Sequence, residues 1–453
     1  MRLSRTFTVS ATALALLAGS GAYAATPPSG GRAHPARTSL DWPTYHGNRA
    51  RTGYSSRMPA VSGTPSVTRS TTLDGAVYAS PVVGAGRTVV ATENDTVYAF
   101  GRHGRLLWRR HLGTPTPSSA LPCGDISPLG ITGTPVYVAS RRTVYLVAES
   151  GPEARHTLYA LAIGTGHVRW HRSMDLPGVE QRAMQQRGAL TVAHGRVWVP
   201  FGALAGDCGG YKGRVVGTNL DRRHGKVSYT PPTQRGGGMW TPPGPSVDSQ
   251  GRLFVVTANG AAGPGDAYDF TNSVLRLTQR ARLVDSFAPS IWPTNNTGDV
   301  GLGSQGATLV GPWIFVAGKS APSYVLRASH LGGIGGQVSQ AMVCNSYGGT
   351  AVAGTIVYVP CTDGLRAIAI DEAGQINVLW HAAANITGAP VVGGGRIWSL
   401  DPNGGTLYSL DPTTGATVSQ TSVGRTSRFA TPAISGRNLL VPTLTGLSVV
   451  GTS

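Results

Sequence analysis

The sequence predicts an all-β protein, an eight-bladed β-propeller of four-stranded antiparallel blades, and three observations carry that prediction. A short phrase returns eight times: a small residue or Pro, two apolar residues, a Gly-bearing turn, then an apolar strand. Its copies start at Pro81, Pro135, Ala189, Pro245, Ala307, Ala351, Pro390 and Pro432. The starts lie 54, 54, 56, 62, 44, 39 and 42 residues apart, the spacing of a β unit that buries its faces only against its neighbours. The eighth copy runs one strand short, while Ser66 to Leu73 is a strand with no blade of its own. Pairing the two closes the ring and removes the open edges of a partial blade. Seven blades is the alternative, if one of the degenerate third to fifth copies forms no sheet of its own.

Residues 1–24 have the pattern of a secretory signal. Arg2 and Arg5 precede an apolar run from Ala11 to Ala18, and Ala22-Tyr23-Ala24 forms a small-x-small cleavage site. That run is too short to cross a bilayer, and no later stretch approaches the roughly 20 apolar residues a spanning helix needs. Residues 25–40 are rich in Pro, Gly, Ser and Arg and read as a flexible leader, because they offer too little apolar surface to order themselves. Residues 41–453 are then one domain, large for a single core but feasible where each blade adds its own layer. No Cys follows the expected cut, so a bacterial lipid anchor is not expected. The chain reads as a monomer that is secreted, extracellular or held in the cell envelope.

The seventh copy illustrates one blade. Thr387 to Val392 is small and apolar, as an innermost strand crowded near the axis must be, and Gly393 to Gly395 turns the chain. Arg396 to Leu400 returns, Asp401 to Gly405 is a turn cluster, and Leu407 to Leu410 and Ala416 to Val423 complete the sheet around Pro412 to Gly415. Four cysteines in an exported chain imply two disulfides. A hairpin turning near Gly354 brings Cys344 and Cys361 to one end of the sixth blade. Cys123 and Cys208 fall on the same face of adjacent blades. The expected bridges are Cys123–Cys208 and Cys344–Cys361. The longest insertions between second and third strands, Gly202 to Gly213 and Asn259 to Thr271, share that face.

The formal net charge is +17, and all but three of the 38 basic residues are arginine, the lysines being Lys212, Lys226 and Lys319. Such a balance attracts a cell-wall polymer, a membrane surface or another polyanion. The arginines are nonetheless spread along the chain, in short pairs such as Arg109-Arg110, Arg141-Arg142 and Arg222-Arg223. That spread reads as a soluble, evenly charged surface rather than a dedicated patch, and no sequence-specific nucleic-acid binding is expected.

Several segments resemble the pyrroloquinoline-quinone-like repeat propellers. Ala160 to Trp170 resembles their tryptophan-docking motif, AxDxxTGxxxW, with weaker copies at Ala99 to Trp108, Ala369 to Trp380 and Leu410 to Gly415. Asp41 to Gly53 (DWPTYHGNRARTG) resembles the segment that precedes such propellers. The likeness runs from about Asp41 to Val450. Trp108, Trp170 and Trp380 then serve to dock one blade on the next, since a flat indole buries ~150–250 Å². The family holds quinoprotein dehydrogenases, outer-membrane assembly lipoproteins and exported proteins without known chemistry. For the dehydrogenases the resemblance implies a quinone above the channel, with Trp on one side and a vicinal Cys-Cys disulfide on the other. It implies also a calcium held by Glu, Asn and Asp, an Asp base and a basic residue beside the quinone. This chain has no adjacent cysteines and no CxxCH haem motif.

Propeller ligands bind at the channel mouth. The candidate ring here is Glu93, Glu149, Asn259, Lys319, Asp363 and Asp401 at or after second-strand ends, with Gln186, Arg187, Trp240, Gln305 and Asn385 at inner-strand starts. Carboxylates, amides and basic groups converging on one opening suit a polar or sugar-like ligand, and Trp240 suits stacking. Glu149, Asn259 and Asp363 are a candidate calcium set, although no contiguous DxDxDG loop supports it. Lys319 follows Gly318 but lacks the full phosphate-loop pattern, and there is no GxSxG elbow. The expected function is therefore a ligand- or protein-binding scaffold without a catalytic signature and with no assigned metal or cofactor. Its partner would be a small polar ligand, an extracellular protein or a cell-envelope polymer. The alternative is a PQQ- and calcium-dependent dehydrogenase of an alcohol or sugar.

Overall fold

The computed structural model describes residues 41–221 and 225–453. The expected signal, the leader and the Arg222-Arg223 pair lie outside the described residues. Eight small sheets follow one another along the chain, each with a four-stranded antiparallel core. Their innermost strands are Val82–Gly84, Val136–Val138, Thr191–Ala193, Ser246–Val247, Thr308–Val310, Ala351–Ala353, Val391–Gly393 and Ala433–Ser435, each starting within two residues of a repeat start. We number the blades one to eight in that order. The seven-bladed alternative is excluded, because the third to fifth copies each form a sheet.

The ring closes as the spare strand suggested. Ser66–Thr72 runs antiparallel to Gly446–Gly451, with Ser66 opposite Gly451 and Thr72 opposite Gly446. It supplies the outer strand of blade eight and alternates exposed and half-buried residues, as a strand with one wet face must. Both expected disulfides are present, Cys123–Cys208 with Cα atoms 6.2 Å apart and Cys344–Cys361 at 5.7 Å.

The core lies in the seams between blades. Val89, Val97 and Ala99 of blade one pack with Val144, Leu146 and Leu161 of blade two in one such cluster. Tryptophan docking explains why the seam stays tight at the rim. Trp108 donates its indole N–H to the Ile163 carbonyl at 2.9 Å, and Trp380 donates to the Pro412 carbonyl at 3.0 Å, each reaching the next blade. The turn glycines make this possible. Gly166 (φ +69°) and Gly415 (φ +73°) adopt left-handed backbone, and a Cβ on either would stand 2.5 Å from the docked ring. Trp170 packs instead on Tyr145 of its own blade, with ring centroids 5.7 Å apart.

Two features break the regular pattern. The link between blades four and five contains a single-turn helix, Trp292–Thr297, and blade four gains a parallel strand, Gly333–Ile334, on its outer edge. The opening segment Asp41 to Gly53 does something the repeat spacing does not foretell: it crosses one end of the channel. Trp42 exchanges backbone hydrogen bonds with Val83 of blade one, and Pro43 accepts from the Tyr137 N–H of blade two. Arg49, Thr52 and Gly53 carbonyls accept from Val247, Val352 and Val392 of blades four, six and seven at 2.7–2.9 Å. The Arg51 guanidinium donates to the Leu190 carbonyl and to Thr44 Oγ1, at 3.0 and 2.7 Å. Tyr45 and His46 are buried, and Thr431 of blade eight donates to the Tyr45 hydroxyl at 3.1 Å. Burial holds the His46 pKa down at about 3, so this ring stays neutral. The end of the channel beside the inner hairpin turns is sealed by main chain.

Candidate functional site

The opposite end of the channel is open, and it holds a cleft of about 640 Å³. Loops before the inner strands of blades three, four, six and eight bring in Arg187, Trp240, Tyr347 and Arg428. Asn259 and Lys319 enter from the ends of the second strands of blades four and five. The two long insertions form walls, through Leu204 to Asp207, Tyr211 and Asn259 to Ala261. The sequence expected those insertions to share the cysteine face, and they do: Leu204 packs with Cys123 and Cys208, so that disulfide braces one wall.

Aromatic and cationic side chains make the floor. Trp240 meets Phe429 with centroids 6.1 Å apart, a contact that crosses the axis from blade four to blade eight. Gly202 permits it, because a Cβ there would lie 2.5 Å from that of Trp240. Phe429 carries two guanidinium groups, Arg428 at 4.7 Å and Arg187 at 5.2 Å from its centroid, and Arg428 also covers Tyr347 at 5.4 Å. Burial, with the charge of Arg428 against it, holds the Arg187 pKa below its ordinary value, and Asp125 at 3.6 Å offsets this in part. A chamber of about 20 Å³ separates this floor from Tyr45 of the opening segment, room for about one water.

One side of the cleft is a polar constellation. The Asn259 amide and the Lys319 ammonium both donate to Oδ1 of Asp299. Asn259 is held by Asn272, which donates to its Oδ1 at 3.3 Å, and Asn296 accepts from the Gly260 N–H at 2.9 Å. Asp299 is 65% exposed and Lys319 only 17%, so the carboxylate faces the opening while the ammonium lies behind it.

Of the eleven candidate positions, Arg187, Trp240, Asn259 and Lys319 line the cleft. Gln186 and Gln305 are buried beneath it, donating to the Gly188 carbonyl and to Ser346. Asp363 is paired bidentately with Arg366 at 2.6 and 2.8 Å, and Asp401 accepts from Asn385 at 3.0 Å. Glu93 and Glu149 lie in the seam between blades one and two, each 2% exposed. Glu93 accepts from the Gly130 N–H at 2.8 Å and from Thr132, and burial still pushes its pKa up to about 8. Asp95 beside it is pushed up to about 8 by the same burial, against a hydrogen bond from Ser150. Burial works against a charged His156, but Glu149 at 3.1 Å and Asp175 at 3.3 Å override it and hold its pKa up at about 9. Asp299, Asn296, Tyr211, Arg235, Tyr347 and Arg428 also line the cleft and were not singled out in the sequence. Asp299 and Asn296 follow or lie in the short helix between blades, where no strand pattern points to them.

The quinone and calcium implied by the resemblance can be set against these groups. A planar polyanion suits the donor set, which offers Trp240 as a plane and Arg187, Lys319 and Arg428 as cations. A calcium takes about six to eight oxygens. The cleft offers Asn259 and an Asp299 already neutralised by Lys319, and no group of three or more His, Cys, Asp or Glu side chains suited to a metal occurs among the described residues. The metal half does not fit this chain's side chains alone.

The family model described as "Outer membrane protein assembly factor BamB" (PQQ_2) matches residues 62–296. No curated protein sequence matches the chain. Among solved structures, the europium-containing methanol dehydrogenase is similar, with TM-score 0.69, 13% identity, and coverage of 91% of this chain and 98% of that one. The quinohemoprotein alcohol dehydrogenase from Comamonas testosteroni gives TM-score 0.65 at 16% identity, over 93% of this chain and 81% of that one. BamB from Moraxella catarrhalis gives TM-score 0.59 at 15% identity, over 86% and 98%. At these identities the likeness to the solved structures is one of fold. With half the chain matched by the family model, the protein belongs to the PQQ-like repeat β-propeller family.

Proposed function

We propose that this propeller is an exported binding protein whose axial cleft takes a small, planar, anionic ligand. One observation carries the reading: Arg187, Arg428 and Lys319 converge with Trp240 on a cleft closed below by its own floor. Two guanidiniums on one phenyl ring repel each other, and Arg428 has no carboxylate within ion-pair distance among the described residues. An anion between them removes that repulsion, and an aromatic plane over Trp240 adds stacking. The two disulfides are compatible with an extracellular location, and we take residues 1–24 as the export signal and 41–453 as the binding domain.

A second reading, a quinone-dependent dehydrogenase, is favoured by the Asn259–Asp299–Lys319 constellation beside Trp240. A bound quinone would supply the two-electron acceptor for oxidation of an alcohol or sugar. The chain's own part is plain. Asp299 presents a carboxylate oxygen to the opening, where it can take a hydroxyl proton. Lys319 fixes that carboxylate and offers further N–H donors to an anionic oxygen, and Asn259 restrains the pair.

Titration of the purified chain with pyrroloquinoline quinone, with and without calcium, tests both readings by calorimetry, absorbance and reduction of an artificial dye. Binding without dye reduction supports the scaffold reading. Dye reduction lost in Asp299→Asn supports the dehydrogenase. If neither the quinone nor simple aromatic di- and tricarboxylates bind, both readings fall.

A further inference from the structure

The rim of the ring is not evenly charged. The outer strands of blades one and two, Leu106–His111 and Val168–Ser173, carry Arg109, Arg110, Arg169 and Arg172 with two histidines and no acid. Those of blades five, six and seven, Ser339–Met342, Ile376–His381 and Thr417–Ser422, carry no Arg, Lys, Asp or Glu. From residue 96 to 124 there is no acidic residue at all. Among these outer strands, then, the basic side chains gather on blades one and two.

The basic side is continuous. Arg69 of the closing strand lies over Gly104, in the turn that carries Arg102 and Arg105. Arg110 Nε donates to the Gly166 carbonyl at 3.1 Å, joining the outer strand of blade one to the turn of blade two. Arg102, Arg105, Arg109 and Arg169 are exposed, and no described carboxylate lies within 4.0 Å of any of them. The guanidinium groups of Arg102, Arg105 and Arg109 on blade one and Arg169 on blade two match the spaced charges of a linear phosphate polymer and can bind each phosphate bidentately.

The surroundings discriminate among polyanions. A bilayer surface wants several apolar side chains among the cations, but of the exposed large apolar residues described only Leu106 stands among them, while the more exposed Met342, Val284, Val378 and Leu379 stand on outer strands of blades four to six. Single-stranded nucleic acid wants exposed aromatic platforms, and here Phe100 and Trp108 are buried. We infer that the rim of blades eight, one and two is a docking face for a phosphate-rich cell-surface polymer, separate from the axial cleft.

The test uses the full chain and long-chain inorganic polyphosphate as the probe, with affinity measured at about 50 and 200 mM salt. Binding should weaken steeply with salt, as counterion release requires. Arg109→Ser/Arg169→Ser should bind about tenfold more weakly, while Arg280→Ser/Arg282→Ser, an equal loss of exposed charge on blade four, should bind like the parent. Unfolding midpoints of both double variants should match the parent, since all four side chains are exposed. Equal weakening of the two double variants would reduce the effect to net charge and overturn the assignment. So would an absence of binding at the lower salt, tighter binding to duplex DNA at equal phosphate, or binding to phosphatidylglycerol vesicles alone. None of these outcomes depends on what the cleft binds.

Discussion

The two ends of the channel solve one geometric problem in opposite ways. Eight inner strands converge on the axis, and their ends leave a hole surrounded by backbone polar groups. At one end, Asp41 to Gly53 fills the hole and pairs its main chain with the blades, so those polar groups are satisfied locally. At the other, the hole is lined by charged and aromatic side chains on loops, with the Arg187 and Arg428 guanidiniums crowded on one phenyl ring. The first arrangement adds stability and the second leaves interaction energy available to a ligand. A change at the sealed end should unfold the protein before it alters binding; a change at the open end should do the reverse.

The sharpest way to break the contrast is Tyr45→Ala. Tyr45 is 2% exposed and its loss leaves a cavity beneath the cleft floor, so unfolding in urea should register a cost of about 4 kcal/mol. A cost under about 1 kcal/mol would show that the segment merely occupies the hole. Next in size is Cys123→Ser/Cys208→Ser, which opens a bridge spanning 85 residues and loosens the Leu204 wall. About 3 kcal/mol is expected, together with weaker ligand binding, because this bridge serves the open end as well.

A smaller effect comes from the seam between blades one and two. The folded-state pKa values of Glu93 (about 8), Asp95 (about 8) and His156 (about 9) all lie above their ordinary values. The folded protein thus holds more protons than the unfolded chain across that interval, and stability falls as pH rises through it. Thermal midpoints should decline steadily from about pH 5 to pH 9, and Glu93→Gln should flatten the curve. A midpoint that rose over that range would remove the assignment of buried, protonated carboxyls. The smallest stability effect belongs to Lys319→Ala, where the partner carboxylate is mostly exposed. Less than about 0.5 kcal/mol is expected, yet affinity for an anionic ligand should drop about tenfold, the cost of one charge-assisted hydrogen bond.

Much of the fold was legible because its determinants are local and repeated. Val82–Gly84 or Val391–Gly393 each show the same apolar triplet and Gly turn, and eight copies reinforce one another. The site was legible in part. Trp240, Asn259 and Lys319 sit at fixed places in the repeat, so counting strands finds them. Asp299 and Arg428 sit in links between blades, where length varies and no periodicity guides the reader. Glu93 and Glu149 occupy repeat positions equivalent to cleft residues on other blades, yet neighbouring loops cover them, and a repeat pattern carries no information about which copies are covered.

The amino-acid sequence alone determined the repeating strand, Trp108 and Trp380 that dock it, the spare strand that closes the ring and the cysteine pairs. The first two depend on residue type at a fixed offset within one chain segment, and the last two on counting strands from one repeat to the next. Only the tertiary structure decided which end of the channel is sealed, that Asp299 meets Asn259 and Lys319, and that Arg69 and Arg110 join the basic strands of neighbouring blades into one face. Those facts depend on which blade faces which across the axis, and ring closure sets that by bringing together residues hundreds of positions apart.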